Sequence, residues 1–270
     1  MGYYVNVEPN VNIYVEDLNP RGDKTIVFLH GWPGSHDLFE YQFTQLAPRG
    51  YRCVGIDQRG FGKSDRPLTG YGFDRASDDV RAVVDALGLN NITLLGHSNG
   101  GAIACRYMSR HRGYGVDKLV LCAAAVPSLI RRPDFPYGQT KEAVQSMIQA
   151  GLNDRPKMLQ DFGNNFFFQN IGSGILDWFF QIGLQAAGWS TAAVQQNWID
   201  DNNFADLGQI FVPTLIMHGI HDAVVYYVLG EIQKRMIRNA TLIPFENSGH
   251  AMFYEERDKF NDALMKFIEE

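Results

Sequence analysis

The sequence predicts an α/β fold: a mostly parallel sheet of eight strands, flanked by helices, with a helical cap inserted in the second half of the chain. Short apolar runs recur along the 270 residues, and segments with helical periodicity separate most of them. A serine stands in a glycine-rich turn between one of these runs and a helical pattern. A long segment without a good strand interrupts the alternation after residue 126. The alternation is typical of a parallel sheet with helices packed on both faces, and the interruption indicates an insertion into that pattern.

The strands are predicted from short runs of apolar residues. Residues 3–7 and 11–16 alternate between apolar and polar side chains, which predicts an antiparallel hairpin that turns at residues 9–10. Strands of a parallel sheet are buried on both faces, so they are expected to be continuously apolar. Six runs have this character: residues 25–29, 51–56, 92–95, 118–122, 214–217 and 240–243. Helical patterns over residues 74–87 and 254–268 predict two of the flanking helices.

The interruption predicts a cap. Residues 127–200 lie between two predicted strands, which is far too long for a simple crossover, and they carry helical patterns. From residue 162 to residue 199 the only charged side chain is Asp177, and aromatic residues are frequent. We expect most of these aromatic residues to pack the cap onto a core formed by residues 1–126 and 201–270. A few of them are expected to line an apolar cavity.

The strongest local signal is the sequence Gly96-His97-Ser98-Asn99-Gly100, which follows a predicted strand and precedes a helical pattern. A G-x-S-x-G sequence in this context predicts a nucleophile elbow, a turn so tight that its flanking positions favour glycine. Ser98 would then be exposed at the start of a helix, where backbone N–H groups favour negative charge. Alone, so short a pattern favours an ordinary glycine-rich turn. The strand before it and the helix after it make the two interpretations about equally supported.

A nucleophilic serine needs a base, and the base needs a carboxylate to orient it. Asp222 comes just after the predicted strand at residues 214–217, and His250 comes after the last predicted strand. The carboxyl ends of parallel strands meet at one edge of the sheet, so both side chains should converge on Ser98. The other histidines and aspartates are less suitable; Asp200, for example, precedes the strand that Asp222 follows.

The tetrahedral intermediate of acyl transfer carries an oxyanion that requires two fixed donors. One is the backbone N–H of the residue after the nucleophile, which is Asn99 here. The second is expected from the loop after the strand at residues 25–29, where His30-Gly31-Trp32 stands. We therefore assign the oxyanion hole to the backbone N–H groups of Trp32 and Asn99.

With these motifs in order, the chain resembles the α/β-hydrolase superfamily and, within it, the cofactor-free bacterial haloperoxidase and arylesterase group. The motifs that carry the resemblance are His30-Gly31-Trp32-Pro33, Asp57-Gln58-Arg59-Gly60-Phe61-Gly62-Lys63-Ser64-Asp65, the elbow around Ser98, His218-Gly219-Ile220-His221-Asp222 and Gly249-His250. The resemblance implies the α/β-hydrolase fold, a Ser-His-Asp esterase and no cofactor. It also implies a side reaction, in which a carboxylic acid and peroxide form a peracid that oxidises halide.

Two residues depart from the pattern of the group, and both bear on the shape of the pocket. Asn99 stands where related enzymes often carry Thr, Met or Leu, and Tyr226 replaces a proline. The residues that we expect to line the pocket are His97, Phe166, Trp178, Trp189 and Val225.

The predicted activity is hydrolysis of apolar aryl or alkyl carboxylic esters through an acyl-enzyme, with Ser98 as nucleophile, His250 as base and Asp222 orienting it. Ser98 at the elbow disfavours epoxide hydrolases and haloalkane dehalogenases, whose elbow carries a carboxylate. Hydrolysis of lactones or C–C bonds on the same triad, hydroxynitrile lysis and a non-catalytic small-molecule receptor remain open.

Composition constrains the partners. The formal net charge is −6, which argues against nucleic acid, and no apolar run is long enough to span a membrane. The first residues lack the pattern of a signal peptide, and three cysteines in predicted strands and helix are expected to be reduced. We expect a cytoplasmic protein that binds a small-molecule ester, with no metal and no cofactor, and leave a homo-oligomer open.

Overall fold

The computed structural model describes all 270 residues and contains one sheet of eight strands. The strands are β1 (Gly2–Glu8), β2 (Val11–Leu18), β3 (Lys24–Leu29), β4 (Tyr51–Ile56), β5 (Ile92–His97), β6 (Val116–Cys122), β7 (Thr214–Gly219) and β8 (Ala240–Phe245). Their order in the sheet is β1-β2-β4-β3-β5-β6-β7-β8. Strands β3 to β8 pair in parallel, whereas β1 and β2 pair antiparallel with their neighbours. The predicted fold class is confirmed.

Helices connect the parallel strands. They are α1 (Glu40–Leu46), α2 (Phe73–Ala86), α3 (Asn99–Arg110), α4 (Lys141–Asn153), α5 (Arg155–Phe166), α6 (Ser173–Leu184), α7 (Gly188–Asp200), α8 (Phe204–Leu207), α9 (Val228–Met236), α10 (Met252–Glu255) and α11 (Arg257–Glu269). Short 3₁₀ helices at His36–Phe39 and Ala47–Arg49 flank α1. No helix combines the length and the apolar character that a membrane crossing requires.

The C-terminal pattern differs from its prediction. The helical periodicity over residues 254–268 belongs to two helices, α10 and α11, which are separated at Glu256 by a non-helical backbone. The carboxylate of Glu256 accepts hydrogen bonds from the N–H of Asn247 at 2.9 Å and the hydroxyl of Ser248 at 2.7 Å. The break therefore ties the start of α11 to the loop that follows β8.

Burial follows the sheet. Every residue of β5 and of β7 is buried, as expected for central strands, whereas the edge strand β8 is mostly half-buried. Cys53, Cys105 and Cys122 lie on β4, α3 and β6, and all three are buried and unpaired in disulfides. The loops that follow β3, β5, β7 and β8 leave the same edge of the sheet, because these strands are parallel.

The segment between β6 and β7 contains helices α4 to α7. Thr140 and Asp154 cap the first two of these helices: each side chain accepts a hydrogen bond from a backbone N–H three residues later, at 3.1 Å. Helix α4 packs against α7, and α5 packs against α6. We refer to residues 127–200 as the inserted segment.

Candidate active site

Ser98 stands at the junction of β5 and α3, in a sharp turn. Its backbone has a φ of 53° and a ψ of −118°, and residues with a side chain rarely adopt so positive a φ. The turn leaves no room for a side chain at Gly96, because a Cβ there would lie 2.5 Å from the carbonyl oxygen of Gly100. A Cβ at Gly100 would collide with the carbonyl oxygen of Leu29 on β3. Close packing therefore fixes Ser98 at the start of α3, where backbone N–H groups lack helical partners.

Asp222 and His250 lie in the loops that follow β7 and β8. The Nδ1 atom of His250 is 2.6 Å from Oδ2 of Asp222, and both side chains are fully buried. The other carboxylate oxygen of Asp222 accepts hydrogen bonds from the backbone N–H groups of Val224 and Val225, each at 2.8 Å. These contacts hold the carboxylate in one orientation, so that His250 Nδ1–H donates to it.

The surroundings of Asp222 favour its ionised form. Burial by itself raises the pKa of this carboxyl, but the charge of His250 and the hydrogen bonds from His218 and His250 outweigh burial. The pKa of Asp222 therefore lies well below its ordinary value. A carboxylate that stays ionised stabilises a positive charge on His250, which arises whenever that ring takes up a proton.

His250 is fixed by contacts with its neighbours. Its backbone N–H donates to the carbonyl of Phe166 at 3.0 Å, and its ring packs edge to face on the Phe166 ring at 5.0 Å. The ring of His97, next to Ser98 in the chain, lies 4.6 Å from the His250 ring. The Nε2 atom of His250 is buried and makes no hydrogen bond, including to Ser98 Oγ. Such contacts are often loose in the absence of substrate.

Two backbone N–H groups beside Ser98 are free to donate. The N–H of Trp32, in the loop after β3, donates to no other group of the protein. Asn99 is the first residue of α3, so its N–H has no partner within the helix. Both residues are almost completely buried, with 2% and 3% exposure. The sequence assigned the oxyanion hole to these two N–H groups, and the structure leaves both of them unpaired.

A cavity of about 400 Å³ lies between the inserted segment and the loop that carries Asp222. Nine of its thirteen lining residues are hydrophobic, and Asp161 is the only charged one. Helix α4 contributes Val144 and Met147, and α7 contributes Trp198. Val224 in the wall also donates its backbone N–H to Asp222, which places one side of the cavity next to this carboxylate.

None of the five residues expected to line the pocket lies in the wall of this cavity. Three of them instead contact the Asp222–His250 pair. His97 Nε2–H donates to the carbonyl of His250 at 3.0 Å, and Phe166 packs on the His250 ring. Val225 donates to Asp222 and accepts a hydrogen bond from His218 at 2.7 Å. Burial lowers the pKa of His97 well below its ordinary value, so its ring stays neutral.

The other two expected pocket residues lie at the periphery. Trp178 is half-buried and packs edge to face on Tyr41 at 6.0 Å. Trp189 is 47% exposed, and its indole N–H donates to the carbonyl of Pro67 at 3.0 Å. Composition alone could not separate these tryptophans from Trp198, since the orientation of each side chain depends on how the inserted helices pack.

Glu255 was not among the residues predicted from the sequence. One carboxylate oxygen of Glu255 accepts hydrogen bonds from the backbone N–H groups of Phe168 and Gln169, each at 2.7 Å. The other accepts one from the N–H of Gly249 at 2.8 Å. Glu255 thus joins the inserted segment to the loop that carries His250. The cavity residues Val144 and Met147 were also missed, although their i, i+3 spacing could have indicated one face of a helix.

The remaining buried histidines near the site have partners of their own. His30 Nε2 accepts a hydrogen bond from the backbone N–H of Gln58 at 2.9 Å, and His36 Nδ1 lies 2.8 Å from Asp57. His218 Nε2–H donates to the carbonyl of Val225. No group of three or more His, Cys, Asp or Glu side chains is arranged to hold a metal ion.

The sheet order and the elbow define the class of this protein. The model of the alpha/beta hydrolase fold matches residues 24–257, and the chain belongs to this family. The resemblance inferred from the sequence motifs is confirmed.

Three relatives extend the comparison. The chain is 43% identical over 267 residues to the AB hydrolase superfamily protein YisY of Bacillus subtilis (strain 168), covering 99% of both chains. It is 30% identical over 271 residues to a non-heme chloroperoxidase of Streptomyces lividans, covering 98% of each. Among solved structures, an esterase from Exiguobacterium antarcticum is 38% identical, with a TM-score of 0.97 and complete coverage of both chains.

Proposed function

We propose that this hydrolase cleaves uncharged carboxylic esters through an acyl-enzyme, with Ser98 as nucleophile, His250 as general base and Asp222 as the orienting carboxylate. The observation that carries the proposal is the buried 2.6 Å contact between His250 Nδ1 and Asp222 Oδ2, beside a serine in a sharp turn. The similarity to an esterase of Exiguobacterium antarcticum supports the same class of reaction.

In the acylation step, Ser98 Oγ attacks the ester carbonyl and its proton passes to His250 Nε2. This nitrogen is buried and unpaired in the structure, so no other hydrogen bond must be broken first. The backbone N–H groups of Trp32 and Asn99 stabilise the oxyanion, and Asp222 stabilises the imidazolium. His250 then gives its proton to the leaving alcohol, and water releases the acid by the same route in reverse.

The inserted segment is proposed to act as a cap, with residues 1–126 and 201–270 as the core domain. Its contacts with the His250 loop, through Phe166 and Glu255, support this assignment. The apolar cavity supports an aryl or alkyl substrate. Because Asp161 is the only charged residue in its wall, an anionic half-ester finds no compensating cation there.

A peracid-forming side activity is a second proposal. The 30% identity to a non-heme chloroperoxidase of Streptomyces lividans supports it. In this reaction hydrogen peroxide replaces water in attacking the acyl-enzyme, so that Ser98 is released and a peracid forms. Bromide oxidation in the presence of acetate and hydrogen peroxide, compared between the parent and Ser98→Ala, tests this activity.

The decisive experiment for the main proposal is the hydrolysis of p-nitrophenyl acetate by the purified parent and by Ser98→Ala. We expect turnover by the parent and a loss of about 10³-fold or more in the variant. Near-normal turnover by Ser98→Ala would refute the assignment. A parent that cleaves a cyanohydrin but no ester would indicate a lyase, and one that binds esters without turnover would indicate a receptor. A panel of cyclic and linear esters separates lactonase from esterase preference.

A further inference from the structure

Helix α7 makes a hydrogen bond to each of the two residues that would supply the oxyanion donors. The indole Nε1–H of Trp198 donates to the side-chain oxygen of Asn99 at 2.8 Å. The indole Nε1–H of Trp32 donates to the backbone carbonyl of Thr191, also on α7, at 3.2 Å. The two indole rings pack edge to face, with their centroids 5.4 Å apart. One helix of the inserted segment therefore holds both sides of the oxyanion hole.

The Asn99 side chain is also held from the core. Its amide Nδ2–H donates to Oε1 of Gln58 at 3.2 Å. Gln58 in turn is fixed by His30, because its backbone N–H donates to His30 Nε2 at 2.9 Å and its side-chain amide donates to the His30 carbonyl. Asn99 thus sits in a buried chain of hydrogen bonds that runs from Trp198 through Asn99 and Gln58 to His30.

This chain consists of polar groups that are costly to bury. Each of its four residues is at most 8% exposed. A buried polar side chain is tolerated only when hydrogen bonds replace those it made with water, whereas an apolar residue would not need them. A satisfied buried network also restricts its members to one arrangement. Both amide atoms of Asn99 are engaged, so the network restricts the residue whose N–H would bind the oxyanion.

Trp198 also contributes to the wall of the cavity that is proposed to hold the substrate. Its side chain lines the 400 Å³ cavity together with Phe162, and the Phe162 ring packs edge to face on Trp32 at 5.0 Å. The wall of the cavity and the residues of the oxyanion hole are therefore in direct contact.

We propose that Trp198 and the side chain of Asn99 are positioning residues, which act through the Asn99 backbone to align the oxyanion hole. The inference rests on the proposed esterase function and goes beyond the assignment of the triad. Oxyanion donors are effective only within about 2.7–3.1 Å of the developing charge. Even a small displacement of such a group lowers the reaction rate strongly. Loss of the Trp198–Asn99 hydrogen bond should therefore lower kcat without weakening substrate binding to the same extent.

The test uses three single variants. Trp198→Phe removes the indole N–H and keeps an aromatic ring, and Asn99→Leu removes both amide hydrogen bonds. Trp189→Phe is the matched control, because Trp189 lies on the same helix and its indole N–H also donates one hydrogen bond. That bond goes to a backbone carbonyl at the surface, outside the cavity. Phenyl acetate is the substrate, since its acetyl group is too small to fill the cavity. Melting temperatures report on folding.

We expect Trp198→Phe and Asn99→Leu to lower kcat by about 10-fold, a fraction of the loss caused by removing an oxyanion donor entirely. KM should change by less than about threefold. Phenylboronic acid forms a tetrahedral adduct with a catalytic serine, so its affinity should fall by about the same factor as kcat. The double variant should lose little more than Asn99→Leu alone. Trp189→Phe should match the parent.

Two outcomes overturn the inference. If either folded variant, Trp198→Phe or Asn99→Leu, keeps kcat and phenylboronic acid affinity within about twofold of the parent, its side chain does not position the hole. If the losses of the two single variants simply add in the double variant, they do not act through one chain. A parent without Ser98-dependent turnover of phenyl acetate would instead overturn the proposed function itself, and this inference with it.

Discussion

His250 Nδ1 lies 2.6 Å from Asp222 Oδ2, and neither side chain is exposed to solvent. The two residues come from different loops, after β8 and β7, and converge because these strands are parallel neighbours. Asp222 is held in turn by two backbone N–H groups, so the pair needs no movement to assume its orientation. This relationship is the basis of the predictions on catalysis and acid stability.

Removal of any member of the proposed triad should give one shared defect. We expect Ser98→Ala and His250→Ala to lower kcat on p-nitrophenyl acetate by about 10³-fold or more, and Asp222→Ala to lower it somewhat less. Because the three residues act as a unit, the triple variant should be little worse than Ser98→Ala. Steady-state kinetics on the parent and all four variants check this. Multiplicative losses would mean that the residues work independently.

The Asp222 carboxyl should also contribute to stability in a pH-dependent manner. Its pKa is lower in the folded chain than its ordinary value of about 3.9, so its contribution is present above that pH and is lost as the pH falls through the lowered pKa. We expect the difference in free energy of unfolding between the parent and Asp222→Asn to stay constant above about pH 5 and to shrink as the pH falls below about 4, toward the lowered pKa. Urea denaturation measures this, with the exposed Asp117→Asn as control. A difference that is independent of pH would contradict the prediction.

Glu255 should stabilise the loop that carries His250. In Glu255→Gln an uncharged amide replaces the carboxylate. Its single oxygen cannot accept all three hydrogen bonds from the backbone N–H groups of Phe168, Gln169 and Gly249. We expect a loss of about 1–3 kcal/mol in the free energy of unfolding, together with a lower kcat. Glu246→Gln is the control, since Glu246 forms only a surface ion pair with Lys259, and its melting temperature should equal that of the parent. Equal melting temperatures for both variants would show that the Glu255 contacts contribute nothing.

The cavity should determine the length of acyl chain that is accepted. Val144→Phe places a larger side chain into the wall, so long-chain esters should suffer while acetate esters are spared. We expect the ratio of kcat/KM for p-nitrophenyl octanoate over acetate to fall by about 10–200-fold. Leu152→Phe on the same helix is the control, because Leu152 is 61% exposed. An unchanged ratio in a folded Val144→Phe variant would exclude this cavity as the acyl site.

Local sequence was sufficient to predict where the strands lie along the chain, and to select Ser98, Asp222 and His250, which follow three of them, as candidate site residues. Apolar runs determine the strands, and a parallel sheet brings the residues after them to one edge. The pocket could not be predicted in the same way. Trp189 and Trp198 stand in the same aromatic stretch, yet one is at the surface and the other contacts Asn99. Their orientations depend on how α7 packs against the rest of the protein, and a short sequence pattern does not predict this packing.

Hydrogen bonds between residues far apart in the chain could not be predicted from the sequence either. Glu255 lies within the helical pattern of the C-terminus, and nothing in its neighbours indicates that it accepts hydrogen bonds from three backbone N–H groups in two loops. Asn99 was noted as a departure from related sequences, but the partners of its amide, Gln58 and Trp198, are 41 and 99 residues away. Such contacts are set by tertiary structure.

In the proposed mechanism, Ser98 forms an acyl-enzyme. Peptide mass spectrometry after rapid quenching of the parent with excess p-nitrophenyl acetate tests it most directly, with His250→Ala and Ser98→Ala treated in parallel. We expect one acetyl group on the peptide that contains Ser98 in the parent, and almost none in either variant. Acetylation of another residue during turnover, or turnover by the parent that leaves Ser98 unmodified at every quench time, would contradict it.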